Sequence, residues 1–238
     1  MIATALVVLQ GAFWCSQAPA GTIRCMDEEL PARLVFGDTF ADMCEWSNLT
    51  ANTRWHVEDG QLIGHWAPGG STIWSNREFS GDLYIRFRAR LLEPADDWRT
   101  EKMPDGGKNV NFRFLVSGPG GRDIREVYRD LAAERTGPNH TGDDQYEGYF
   151  FTWTWSHTRL RRSPGYVNVS ERRDVLPAVG VEYTVEVLKE GGRIRYAVNG
   201  EVLHDYRDEA PFDSGRVGFT LWHSRLAVDF IEVYELGG

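Results

Sequence analysis

Read as extended chain, the segment from Tyr149 to Arg159 sets Tyr149, Phe151, Trp153, Trp155, His157 and Arg159 on one side. Phe150, Thr152, Thr154, Ser156, Thr158 and Leu160 fall on the other, because side chains alternate along a strand. A row of rings ending in an imidazole and a guanidinium suits a sugar: apolar sugar faces stack on rings while edge groups orient hydroxyls or a carboxylate. The opposite assignment stays open, with the rings in the core and the Thr/Ser row lining the groove. Asn109, Asn111 and Arg113 alternate on a second extended segment and add amide and guanidinium donors. Arg159, Arg161, Arg162, Arg172 and Arg173 form a basic cluster in a chain of formal charge -9. Arginine pairs bidentately with carboxylates, so an acidic, uronate-containing poly- or oligosaccharide is the ligand these residue types suit. The plainer reading is that each arginine balances a nearby surface acid.

Cleavage of such a chain by β-elimination needs Asn or Arg to neutralise the uronate. It also needs His or Tyr to remove the adjacent proton and to protonate the leaving oxygen. His157 with Tyr149 or Tyr166 supplies that pair, and Asn109, Asn111, Arg113, Trp153, Trp155, Arg159 and Arg161 make the substrate-binding set. Two alternatives stand beside it. One is a noncatalytic carbohydrate-binding, lectin-like module, which needs only exposed rings; the other is a glycosidase built on isolated acids such as Glu147, Glu171 or Asp174, whose carboxyls must lie about 5–10 Å apart.

Other chemistries fall away. His56, His65, His140, His204 and His223 lack zinc-ligand spacing, and there is no Gly-x-Ser-x-Gly elbow, phosphate loop or nucleotide fingerprint. No cofactor is required for the chemistry above. The net negative charge argues against a nucleic-acid partner, since phosphate binding wants a broad basic footprint.

The elements that must hold these residues are strands. Leu83, Ile85, Phe87, Ala89 and Leu91 alternate with Asp82, Tyr84, Arg86, Arg88 and Arg90, giving a core side and a wet side. Val110, Phe112, Phe114 and Val116 repeat the pattern. Further strands are expected over 149–158, 183–189, 193–199, 216–222 and 226–236, with Asn199-Gly200 as a hairpin turn and one helix from Ile124 to Arg135. Many strands without βαβ spacing predict an all-β sandwich of two antiparallel sheets, a single domain over residues 21–238. The polar loops 94–108 and 136–147 exceed what strand connection needs, which is common at functional sites.

No run is long enough for a transmembrane helix. Residues 2–14 are almost wholly apolar and precede Ala18-Pro19-Ala20, the pattern of a signal peptide over residues 1–20 and hence of a secreted or periplasmic protein. Its removal takes Cys15 and leaves Cys25 and Cys44, an even pair able to form a disulfide outside the cytosol.

The block FTWTWSHTRLRRSPGY (Phe151–Tyr166), with Ser170–Asp174 and Gly215–Phe219, resembles the YesU-like family of bacterial proteins over roughly residues 33–236. That resemblance implies a concanavalin A-like jelly roll, of largely undefined activity, associated with enzymes that degrade acidic plant polysaccharides. The last strand, Val228–Tyr234, resembles that of family-16 glycoside hydrolases. This second likeness implies a structural calcium held by Asp229 with groups placed like Asp38 and the Gly81 carbonyl, and oxygen donors suit that hard cation. The Glu-x-Asp-x-x-Glu motif of the retaining glucanases in that family is missing, which disfavours their double-carboxylate hydrolysis.

Overall fold

A computed structural model describes residues 21–48, 54–66, 71–95, 100–101, 103–104, 106–134 and 146–237. The leader expected over residues 1–20, Cys15, most of the 136–147 loop and part of the 94–108 loop lie outside them.

Alternation of apolar and polar residues builds two antiparallel sheets, as expected. In the first, hydrogen-bonded neighbours run β1 (Gly21–Cys25), β2 (Glu28–Asp38), β17 (Arg225–Leu236), β8 (Leu83–Leu92), β13 (Glu182–Glu190), β14 (Arg193–Val198) and β15 (Glu201–Arg207). The start of β17 pairs instead with β5 (Gln61–His65), and β5 with β4 (Arg54–Glu58). In the second sheet the order is β12 (Val167–Arg172), β11 (Thr158–Ser163), β10 (Glu147–Trp153), β9 (Val110–Ser117), β16 (Ser214–Leu221), β6 (Ser71–Ser75) and β3 (Trp46–Asn48). The short β7 (Phe79–Ser80) also pairs with β16.

The inner faces meet in one apolar core. Phe87 of the first sheet lies 5.1 Å from Phe219 of the second, and Phe219 lies 5.2 Å from Phe112. Leu83, Ile85, Phe87, Ala89 and Leu91 are buried as their periodicity predicts. Tyr84, expected on the wet side, is buried as well, because the β1–β2 hairpin folds Cys25 and Met26 over it and its hydroxyl donates to Glu186 at 2.7 Å. Cys25 is buried there and Cys44 is exposed; both are free thiols, so the pair does not form a disulfide in this structure. Asn199 and Gly200 take the positive φ angles that a tight hairpin requires, as expected from their types.

The expected helix forms as α1 (Ile124–Glu134). Asp123 caps it, accepting from the Arg125 backbone N–H at 2.9 Å, and is pinned to the second sheet by two 2.9 Å contacts from Arg216. Ile124, Val127 and Tyr128 then pack onto Trp74, Val116 and Tyr146, so the helix closes one end of that sheet's outer face. No helix among the described residues is long and apolar enough to cross a membrane.

Candidate functional site

The single strand expected from Tyr149 to Arg159 is two strands. Residues 154–157 reverse the chain: the Thr154 N–H donates to the His157 carbonyl at 2.8 Å, and the Thr154 hydroxyl accepts from the Ser156 N–H at 3.3 Å. The Thr154 backbone and hydroxyl thus supply a turn that no Gly or Pro announces. The reversal breaks the expected row of rings. Tyr149, Phe151 and Trp153 face the core, where Tyr149 stacks on Phe114 at 5.0 Å and donates to Asp208 at 2.7 Å. Trp153 packs edge-on against Tyr183 and donates its indole N–H to the Val175 carbonyl. Neither can stack on a sugar or reach one as an acid. Trp155, at the tip of the turn, is 37% exposed. Arg159 and Arg161, across the turn, lie on the outer face with Thr152 and Phe150.

Strand register arranges that outer face in two rows. One runs Thr72, Thr220, Asn111, Thr152, Arg159, Glu171; the other runs Trp74, Gly218, Arg113, Phe150, Arg161, Asn168. The middle of the first row carries hydroxyls and an amide, all nearly fully buried. The Thr72 and Thr220 hydroxyls are 3.0 Å apart, and Asn111 Nδ2 donates to Asn109 Oδ1 at 3.2 Å. Asn109 Nδ2 donates in turn to the Gly107 carbonyl at 2.8 Å. Asn111 Oδ1, though buried, has no hydrogen-bond donor. A buried acceptor left so costs about 1–3 kcal/mol, which a ligand hydroxyl would relieve.

The second row alternates rings and guanidiniums. Arg113 lies 4.8 Å from the ring of Tyr146 and 3.9 Å from that of Phe150; Arg161 lies 5.9 Å from Phe150 and 4.4 Å from Tyr166. Arg113 donates to Thr220 at 2.9 Å and to the Tyr146 hydroxyl, and Arg161 donates to Thr152. The stack Tyr146, Arg113, Phe150, Arg161, Tyr166 therefore holds two cations in fixed planes beside the polar row. Of the residues expected from sequence, the structure brings Asn109, Asn111, Arg113, Arg161 and Tyr166 to this face, Tyr166 as a ring over Arg161. The sequence reading did not name Thr72, Trp74, Thr220 or Phe150 as site residues, whose only signal was alternation along their own strands, nor Tyr146, which precedes β10.

The remaining arginines of the basic cluster are engaged with acids. Arg159 meets Glu171 at 2.6 Å, Arg173 meets the same carboxylate at 2.7 Å, Arg172 meets Asp174 at 2.6 Å, and Arg162 meets Asp208 at 2.8 Å. Glu171 is held at a pKa of about 2, chiefly by the Arg159 hydrogen bond. Glu171 and Asp174 are thus ion-paired, whereas the central outer-facing positions of β9, β10, β16 and β6 carry no carboxylate.

His157 follows the turn in step with Arg159 and Arg161. Burial, then the positive charges of Arg159 and Arg161, press its pKa down to about 4, so the imidazole is neutral at neutral pH. Its Nδ1 shares a 2.8 Å hydrogen bond with the Ser156 hydroxyl, while Nε2 is buried without a partner. In the tautomer that donates from Nδ1 to Ser156, the Nε2 lone pair is free to take a proton. His204, by contrast, is sealed between the sheets, bonded to Thr158 and Ser170 at 2.8 Å each.

With this geometry in view, the chain aligns with solved structures. A protein of unknown function with a galectin-like fold from Bacillus subtilis matches with a TM-score of 0.67 at 13% identity, over 85% of this chain and 96% of that one. The chain has a jelly-roll fold. An endo-β-1,3-glucanase from Pyrococcus furiosus matches with a TM-score of 0.58 at 15% identity, over 93% of this chain and all of the other. The carbohydrate-binding module CBM66 from Bacillus subtilis matches at 0.50 and 16%, over 78% and 92%. No protein-family model matches the sequence, and neither does any curated protein sequence.

The three positions that the glucanase likeness implies for calcium are not brought together among the described residues. Both Asp38 oxygens are taken, Oδ1 by the Phe40 N–H and Oδ2 by the Trp46 indole, at 2.7 Å each. Asp229 accepts from Gln61. Asp38 pairs opposite Ile231 near Asp229, but Gly81 precedes Leu83, which pairs opposite Glu235. At ~3.3 Å per residue, Gly81 is roughly 20 Å or more from Asp229 along the strands. Among the described residues no three or more His, Cys, Asp or Glu side chains gather as a metal site.

Proposed function

We propose that this protein binds a carbohydrate on the outer face of its second sheet and that the carbohydrate is acidic. The observation that carries the reading is the pair of rows: an uncharged hydroxyl and amide floor with an unsatisfied acceptor at Asn111, beside two ring-clamped guanidiniums. Hydroxyls and amides suit sugar hydroxyls, and guanidiniums held in plane suit carboxylates. The fold shared with a carbohydrate-binding module and a glucanase supports a carbohydrate partner, and the resemblance of Phe151–Tyr166 to the YesU-like family supports a uronate-containing one. Secretion or periplasmic export, as the apolar start suggests, would bring the protein to such a polymer.

A second reading, cleavage by β-elimination, is favoured by His157. Its neutral imidazole, with Nε2 unengaged, suits removal of the proton beside a uronate carboxylate. The C–H electrons would form the carbon–carbon double bond as the bond to the glycosidic oxygen breaks. That oxygen would take the proton back from the imidazolium, giving one unsaturated end and one new reducing end without water. Double-carboxylate hydrolysis finds no paired acids in the described middle of the face.

The test is a panel of acidic and neutral polysaccharides, followed by calorimetry for binding, by ultraviolet absorbance for unsaturated product and by reducing-end assay. The reading expects binding to uronate polymers over neutral ones, and absorbance rising in step with reducing ends if cleavage occurs. Equal binding of neutral and acidic polymers would contradict the acidic assignment.

A further inference from the structure

We infer that the outer face of the second sheet receives the end of a glycan chain, with the chain leaving over Trp155 and Trp222. The inference rests on the carbohydrate reading above and adds how the polymer is presented.

Along the strand direction the two ends of the face differ. At one end α1 seats Ile124, Val127 and Tyr128 on Trp74, Val116 and Tyr146, all of them buried, and Asp123 ties the helix start to Arg216. No sugar can pass through that packing. Across the strands, the first row ends in the Arg159–Glu171–Arg173 ion pairs and the second is flanked by Tyr166 over Arg161. The other end is built differently. Trp155 and Trp222, 37% and 45% exposed, are the two aromatic rings among the large exposed apolar residues described.

Both tryptophans are held by Gly107. Its carbonyl accepts from the Trp155 N–H at 3.4 Å, and its N–H donates to the His223 carbonyl at 2.7 Å. A Cβ at this position would meet the Trp222 carbonyl at 2.3 Å, so only glycine permits the approach. The same Gly107 carbonyl accepts from Asn109, which bonds Asn111, whose free Oδ1 lies on the floor between Thr220 and Thr152. Exposed rings and buried amides thus form one continuous file from solvent to floor. Among the described residues one end is lined by exposed rings and the other is closed by the helix, an arrangement that accepts a terminus: the last sugar on the amide and guanidinium floor, the next ones stacked on the rings.

The test is calorimetric titration with galacturonate oligosaccharides from disaccharide to octasaccharide, and with long polygalacturonate, repeated with mannuronate and glucuronate-containing series. End recognition predicts one protein per chain at every length and a molar affinity that levels off once the rings are covered. Trp155→Ala and Trp222→Ala should each weaken the longer oligosaccharides about tenfold while sparing the disaccharide, and Trp222→Phe should restore most of the loss. Protein bound per chain that grows with chain length, or tryptophan variants that weaken the disaccharide equally, would overturn end recognition and leave the carbohydrate reading in place. Failure of every series to bind would overturn both.

Discussion

Arg113 has a ring on each side and a hydroxyl at two of its nitrogens, so its plane is fixed before any ligand arrives. Lysine would keep the charge and lose both the stack and the fork. Arg113→Lys should therefore lower affinity for a uronate oligosaccharide roughly tenfold or more, and affinity for its neutral counterpart much less, by calorimetry. Equal losses for both would mean that the residue only supports the fold. His157 makes a separate prediction. If the protein eliminates, His157→Ala should lower kcat by ~10²–10⁴-fold with little change in KM. Wild-type kcat/KM should stay flat above about pH 5 and fall as the pH drops through about 4, where the imidazole takes up its proton. An acid limb near pH 6.5 in the free protein would assign the titration to some other group.

At the scale of elements, Gly107 holds Trp155 and Trp222 together, and a methyl there has no room. Gly107→Ala should destabilise the protein by about 1–3 kcal/mol and displace Trp222, read as a lowered Tm and altered tryptophan fluorescence. An unchanged Tm and spectrum would show the loop to be slack. The neighbouring turn marks how far sequence reading reached. The strands β8, β9, β13, β14, β16 and β17, the Asn199-Gly200 hairpin and the polar faces of β8 and β9 followed from period-2 alternation and known turn chemistry, with Tyr84 and Val116 the exceptions, and the helix was also expected. The 154–157 turn did not, because it is closed by the Thr154 hydroxyl and backbone N–H, with no Gly or Pro. Missing it joined β10 to β11 and placed Trp153 beside Arg159 on a face where the structure puts Thr152 and Phe150. Alternation assigns partners to a face but cannot say which face is wet when both carry rings. Tyr146 and Trp222 lay beyond reach for another reason: they come to the site through loops, whose course periodicity does not encode.

For the molecule as a whole, acid should loosen the sandwich as its buried and half-buried histidines take up protons. His65, His157 and His204 each have a folded pKa near 4, burial being the leading cause, against 6.5 when free. The unfolded chain binds more protons between those values, so their contribution to stability is complete above about pH 6.5 and is lost as pH falls toward 4. For the sealed His204 the loss is on the order of 3 kcal/mol. Tm should fall steadily over that window, and His204→Gln should flatten part of the fall; a wild-type Tm independent of pH from 7 to 4.5 would contradict the account. Export carries its own check, since N-terminal sequencing of the native protein should begin near Gly21, where β1 starts, and retention of Met1 would refute it. The central claim, that the two rows on the outer face of the second sheet are a carbohydrate site, is tested most directly by a crystal structure with a bound galacturonate oligosaccharide. The account predicts sugar over Thr72, Thr220, Asn111 and Thr152, with a hydroxyl donating to Asn111 Oδ1 and a carboxylate against Arg113 or Arg161. Sugar seated on the first sheet, or on the second with Asn111 Oδ1 still unengaged, would contradict it.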